Sequence, residues 1–139
     1  MGEQPATYTK PVPAIDPDSQ PYWEGAKGGR LMIQRCNATG QTFLYSRQLV
    51  PGVVESEVEW IEASGRGAIY SFTVARRPAG MAFADDCPYV VVSVELEEGA
   101  RVMSNLITDN PDSVAIGQPV EVVFDRVSDT LTIPKFKLA

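Results

Sequence analysis

Few side chains in this sequence could do chemistry. The 139-residue chain has no histidine and only two cysteines, Cys36 and Cys87. Without histidine the commonest general base and the commonest metal ligand are missing, and no Ser–His or Cys–His nucleophile pair can be assembled. The carboxylates Asp85–Asp86 and Glu97–Glu98 are adjacent pairs. Neighbours in an extended chain point to opposite sides, so neither pair makes an acid/base couple and both read as solvated loop charge. Cys87 follows Asp86 and precedes Pro88. Negative charge beside a thiol raises its pKa, the reverse of what a nucleophile needs. Ser64-Gly65-Arg66-Gly67 is glycine-rich but lacks the lysine and the following helix of a phosphate loop. It reads as a turn between strands, with Arg66 offered to an anion as the functional alternative. Two cysteines make no disulfide framework. The inventory excludes the familiar catalytic sets and leaves binding, so the chain reads as a non-enzyme.

Charge narrows what is bound. Twelve basic and eighteen acidic residues give a formal net charge of −6. Such a chain repels a phosphate backbone, and no nucleic-acid partner is expected. A local basic patch would have to come from Arg66, Arg76, Arg77 and Arg101. No apolar run approaches the ~20 residues that span a bilayer. Met1 to Pro17 is polar and proline-rich, unlike a signal peptide, so no membrane association and a cytoplasmic location are expected.

The elements that must position these residues are mostly strands. Residues 1–17 carry four prolines (5, 11, 13, 17) and no apolar period, and read as an extended or disordered arm or a partner-grasping tail. Asp18 and Ser19 suit a helix N-cap, Pro21 suits the first turn, and Gly28-Gly29 ends the helix. Tyr22, Trp23 and Ala26 share a face of this short helix. That face packs on the domain or, in the sharper reading, docks on a partner through Tyr22 and Trp23. Leu31 to Cys36, an Asn37–Gly40 turn and Thr42 to Tyr45 form a hairpin. Pro51-Gly52 turns again, and Glu57 to Glu62 is a half-exposed strand. From Ala68 to Ala75, Tyr70, Phe72 and Val74 alternate on what reads as the core face. Arg76 to Pro88 is a loop. Tyr89–Leu96 and Arg101–Ile107 make the clearest hairpin, a short helical turn over Ser113–Ile116 follows, and Val120–Phe124 and Leu131–Lys137 are the last strands. Five strands with open edges bury little as a flat sheet, and closure into a small OB-type barrel with a helix between its third and fourth strands removes the edges. The expected fold is mainly β: an arm (1–17), a short helix with a ribbon-like hairpin (18–62) and a five-stranded OB-fold barrel (63–139).

Tyr22-Trp23-Glu24-Gly25, Leu31-Met32-Ile33-Gln34-Arg35-Cys36, Glu59-Trp60, Ser64-Gly65-Arg66-Gly67, Tyr70-Ser71-Phe72-Thr73-Val74 and Pro134-Lys135-Phe136 occur in this order. From about Pro21 to the C-terminus the chain thereby resembles the bacterial and archaeal family that joins a rubredoxin-like zinc ribbon to an OB-fold. The resemblance implies an accessory protein of acyl-CoA enzymes in lipid or steroid metabolism, with a thiolase-like or hydratase-type enzyme as partner. In that family two Cys-x-x-Cys pairs hold zinc; here the corresponding positions are Cys36, Thr39, Val50 and Val53. Zinc needs four such ligands, and Cys36 is the only one retained, so neither zinc nor another cofactor is expected. Phe43, Leu44, Tyr45, Val50, Val53 and Val54 are expected to form an apolar cluster in the metal's place. Cys36 then reads as a small buried residue, with a redox-active or acylatable thiol as the alternative. Arginine forks suit the phosphates of coenzyme A, so the resemblance implies that Arg66, Arg76 and Arg77, with the loop apolar residues Met81 and Phe83, line a ligand or partner surface. The alternative for that loop is a plug over one barrel end. Besides the accessory subunit, two other readings stand: a stand-alone acyl-CoA-binding domain and a single-strand-binding OB module. A chain without its partner would self-associate through the helix and ribbon.

Overall fold

The computed structural model describes residues 8–54 and 57–139. Its elements are α1 (Gln20–Lys27), β1 (Met32–Cys36), β2 (Thr42–Phe43), β3 (Val58–Glu62), β4 (Arg66–Ala75), β5 (Tyr89–Leu96), β6 (Arg101–Ile107), β7 (Pro119–Arg126) and β8 (Thr132–Leu138). The first seven residues of the expected arm lie outside the described residues. Residues 8–15 have no helix or strand, and Lys10 of this stretch pairs with Asp86 at 3.0 Å.

Ser19 stands at the N-cap of α1 but makes no capping bond itself. The Asp16 carboxylate instead accepts the Ser19 N–H at 2.8 Å, and its hydrogen bonds with Ser19 hold Asp16 below the usual carboxylate range. Past the helix, Gly29 takes φ +73°, a conformation open to glycine, and Arg30 N–H returns to Gly25 O at 2.8 Å. Ala26 is fully buried, and α1 packs on β1, β7 and β8.

The strands form a three-stranded antiparallel sheet in the order β2-β1-β3 and a closed five-stranded barrel in the order β4-β5-β6-β8-β7, the expected OB-type closure. Alternation explains the barrel interior. Val90, Val92, Val94 and Leu96 of β5 point inward, with Val102 and Leu106 of β6, Val120 of β7 and Phe136 of β8. Leu31, Ile33 and Ala63 belong to the same apolar cluster, so the small sheet shares the barrel's core. The β5–β6 turn fastens the two sheets. Glu98 O accepts the Thr42 hydroxyl at 2.7 Å and its carboxylate accepts the Ser64 N–H at 2.8 Å. Glu98, expected as solvated charge, is therefore a structural tie, and its neighbour Glu97 pairs with Arg66 at 3.1 Å.

Tyr70 departs from the expected core face. A bulge shifts the β4–β5 register between Ile69 and Ser71, and the extra residue changes the parity of the strand. Ile69 is buried, Phe72 and Val74 pack on the core, and Tyr70 is 48% exposed under the Arg101 guanidinium, 3.7 Å from its ring centre. The helical turn expected at Ser113–Ile116 lies earlier, as a 3-10 turn over Pro111–Ser113, where the proline starts it; it still falls between the third and fourth barrel strands. The Arg76–Pro88 loop contains a 3-10 turn, Met81–Asp86.

Gly67 lies where β4 is bonded on both sides, opposite Leu96 of β5 and Val120 of β7. A Cβ there would stand 2.3 Å from Glu95 O, a backbone atom that cannot move aside cheaply. Gly67→Ala is expected to destabilise the fold by roughly 1–3 kcal/mol, read as a lower denaturant midpoint; an unchanged midpoint would refute the close approach of β4 and β5.

Candidate functional site

The ribbon tip carries an apolar cluster where zinc would need thiolates. Cys36, Phe43 and Val50 are buried together, and Val53 and Val58 pack against them. The Thr39 hydroxyl, then the N–H groups of Thr39 and Ala38, hold the Cys36 thiol below its ordinary pKa against the opposing effect of burial. One thiol among valines does not fit tetrahedral zinc, and among the described residues no group of three or more His, Cys, Asp or Glu could hold a metal. The cluster is smaller than expected. Leu44 turns to the main core, while Tyr45 and Val54 are 61% and 90% exposed. The Gln34 side chain fixes the loop after β2, donating to Arg47 O at 3.0 Å and accepting Arg47 N–H at 2.7 Å.

A groove of about 360 Å³ opens between α1, the ribbon and the barrel, lined by Tyr22, Trp23, Leu44, Tyr45, Trp60, Met103 and Pro134 among others. Its cause is the seam between β6 and β8, which pair only at Leu106–Phe136 and Ile107–Lys137. In the β7–β8 ladder Ala139 N–H donates to Pro119 O, so by alternation Pro134 directs its backbone toward β6. Proline has no N–H to give there, and Pro134 O is met instead by the Ser104 hydroxyl at 2.8 Å. The strands part and side chains line the gap. Tyr22 and Trp23 meet edge to face, 4.9 Å between centres, on the helix wall. Burial, with a smaller contribution from Tyr45, pushes the Tyr22 phenol up to about 12.

Asn105 and Ile133 line this groove and also a second cavity of about 470 Å³ at the barrel end. Its walls include Tyr8, Lys10, Phe83, Asp86, Tyr89 and Lys135. Lys10 pairs with Asp86, whose hydrogen bond raises the lysine pKa, and Lys135 pairs with Asp125 at 2.7 Å. The groove is mostly apolar, whereas the second cavity is mixed and carries two lysine ammonium groups, each paired with an aspartate.

Of the residues expected to line a ligand surface, Phe83 alone lines a described cavity. Arg76 pairs with Asp112 at 2.7 Å, Arg77 is exposed with no ion pair among the described residues, and Met81 is 90% exposed and plugs nothing. Arg66 begins β4 and Arg76 follows its end, a separation of roughly 30 Å at strand rise, so the arginines form no single patch. Sequence reasoning missed Lys10, which lies in an arm without a pattern. It also missed Lys135, although its alternation with buried Pro134 and Phe136 marks it as facing out. Tyr22 and Trp23, expected as docking residues, do come together on one groove wall.

Residues 60–125 match the family model of the ChsH2 C-terminal OB-fold domain. Over 100 residues the chain is 42% identical to a DUF35 domain-containing scaffold protein of Methanothermobacter thermautotrophicus, covering 71% of this chain and 74% of that protein. The chain belongs to the DUF35 family. A further relative, described as a probable enoyl-CoA hydratase alpha subunit of Thermomonospora curvata, is 38% identical over 137 residues. That match covers 99% of this chain but 42% of the relative, so this DUF35 chain spans less than half its length. A solved structure, the Ltp2-ChsH2(DUF35) aldolase, aligns with a TM-score of 0.80 at 38% identity, covering 91% of this chain and 98% of that one. The family membership implied by the ordered motifs thus holds. Among the described residues no helix is long and apolar enough to cross a membrane.

A zinc chelator is expected to leave the melting temperature unchanged, and near-stoichiometric zinc by metal analysis would contradict the apolar ribbon. The unfolded chain ionises Tyr22 near 10, so between pH ~10 and ~12 the unfolded state sheds a proton the folded state keeps. The stability tied to Tyr22 is full below pH ~10 and is lost as pH rises through the folded pKa. Wild type is expected to lose roughly 2 kcal/mol more than Tyr22→Phe over that window, measured by denaturant titration; parallel losses would refute the burial of the phenol.

Proposed function

We propose that this chain is a non-catalytic accessory subunit of a thiolase-like or hydratase-type acyl-CoA enzyme. The observation that carries the reading is its match to 98% of the DUF35 chain in a structure described as an Ltp2-ChsH2(DUF35) aldolase. The geometry supports it in two ways. Histidine is absent and the described carboxylates near the cavities are spent in ion pairs, which leaves no acid/base set. The groove beside Tyr22 and Trp23 leaves aromatic and aliphatic surface open, as an association surface does.

In this reading the chain also helps admit the acyl-CoA. The apolar walls of the groove suit an acyl or pantetheine arm, and Lys10 and Lys135 would meet its anionic groups by exchanging Asp86 and Asp125 for them. A second reading, a stand-alone acyl-CoA-binding domain, draws on the same pair of cavities. Arg66, Arg76, Arg77 and Met81 remain proposed contacts for a partner or ligand that spans more of the surface.

Co-expression with a thiolase-like or hydratase-type acyl-CoA enzyme of the same organism is expected to give a stable complex on size exclusion. Thermal-shift screening of the isolated chain with coenzyme A esters separates the two readings. A chain that elutes alone but is stabilised by the ester is the stand-alone binder, and one that elutes alone with no shift refutes both.

A further inference from the structure

Resting on the accessory-subunit reading, we propose that β3 is where the partner enzyme is grasped, by adding an extended basic segment of that enzyme as a new strand on the open edge of the small sheet. In the order β2-β1-β3, β3 lies at an edge and pairs with β1 alone. The ladder fixes which of its backbone groups are spent. Asn37 N–H donates to Glu57 O at 2.8 Å and Ala63 N–H donates to Leu31 O at 2.8 Å, at the two ends of the pairing. By alternation Glu57, Glu59, Ile61 and Ala63 face β1, and Val58, Trp60 and Glu62 send their N–H and C=O groups outward. Among the described residues nothing pairs with those outward groups. The opposite edge of the sheet, β2, spans only Thr42–Phe43, and the barrel is closed. β3 is thus the longer open edge of the small sheet, and an unpaired edge is a template for a further strand.

Charge selects the occupant. Glu57, Glu59 and Glu62 lie along this strand, and Arg35 pairs with Glu59 alone. Glu57 and Glu62 are exposed and have no ion pair among the described residues. A second copy of the same edge would set glutamates alongside glutamates, which is unfavourable between neighbouring strands, whereas a lysine- or arginine-bearing segment is attracted. Trp60 adds selectivity. It lines the groove with Tyr22, Trp23 and Tyr45, so alternate side chains of an added strand run toward that apolar surface.

The test uses the full chain and whichever acyl-CoA enzyme forms a complex with it on co-expression. Glu62→Pro removes an outward N–H while leaving the β1 ladder untouched, a substitution edge strands accept. It is expected to keep the wild-type melting temperature and weaken the complex roughly tenfold. The double variant Glu57→Lys/Glu62→Lys keeps the backbone donors, reverses the charge and is expected to weaken the complex further at low salt; it decides the matter if the proline variant fails to fold. Wild-type affinity in the double variant overturns the proposal, as does wild-type affinity in a folded Glu62→Pro. A wild-type homodimer that Glu62→Pro abolishes also overturns it, by giving the edge to a second copy. Failure of the wild-type chain to bind any acyl-CoA enzyme instead removes the accessory-subunit reading itself.

Discussion

β8 bonds to β7 along its whole length and must still meet β6 on its other side, and Pro134 limits how far it can do so. The proline withholds a donor on the β6 side, so a two-residue parallel ladder and the Ser104 hydroxyl complete the barrel. Fully buried Phe136 sits within that short ladder and gives it an apolar anchor. Both cavities follow from this seam, since the residues that line both, Asn105 and Ile133, flank the place where the strands part. A closed barrel with a full β6–β8 ladder would leave α1 and the ribbon a flat wall to pack on. Here they frame a groove.

The tip of the small β2-β1-β3 sheet is held by packing. Tetrahedral coordination ties loop ends together by bonds of fixed length, whereas a cluster of Cys36, Phe43 and Val50 ties them by exclusion of water. Such a cluster is small, and other contacts reinforce it. Gln34 holds the Arg47 backbone, and Leu31 and Ile33 root the sheet in the barrel core.

The fold was largely legible because burial imposes periods on sequence. The valines of β5 and the alternation of β8 name their inward residues directly. Where local chain geometry breaks the period, reading fails: one bulge at Ile69–Ser71 reversed the orientation of Tyr70. The site was less legible, because it depends on which distant segments meet. The strand read over Ala68–Ala75 already set Arg66 and Arg76 at its opposite ends, but nothing in the sequence says that Lys10 reaches Asp86. Tyr22 and Trp23 were found because adjacency on a helix is a local property. Glu98 was misread for the converse reason, since its partners Ser64 and Thr42 lie far away in sequence.

That glutamate has a mechanical meaning. By holding Thr42 through its carbonyl and Ser64 through its carboxylate, Glu98 pins the ribbon to the β5–β6 turn, while Leu31 and Ile33 pin the other end in the core. With two anchorages the ribbon cannot swivel about a single hinge. It behaves as a bracket, and whatever seizes one arm of a bracket also sets the bearing of the other. The direction in which the barrel's groove looks is therefore written into the chain before any assembly takes place.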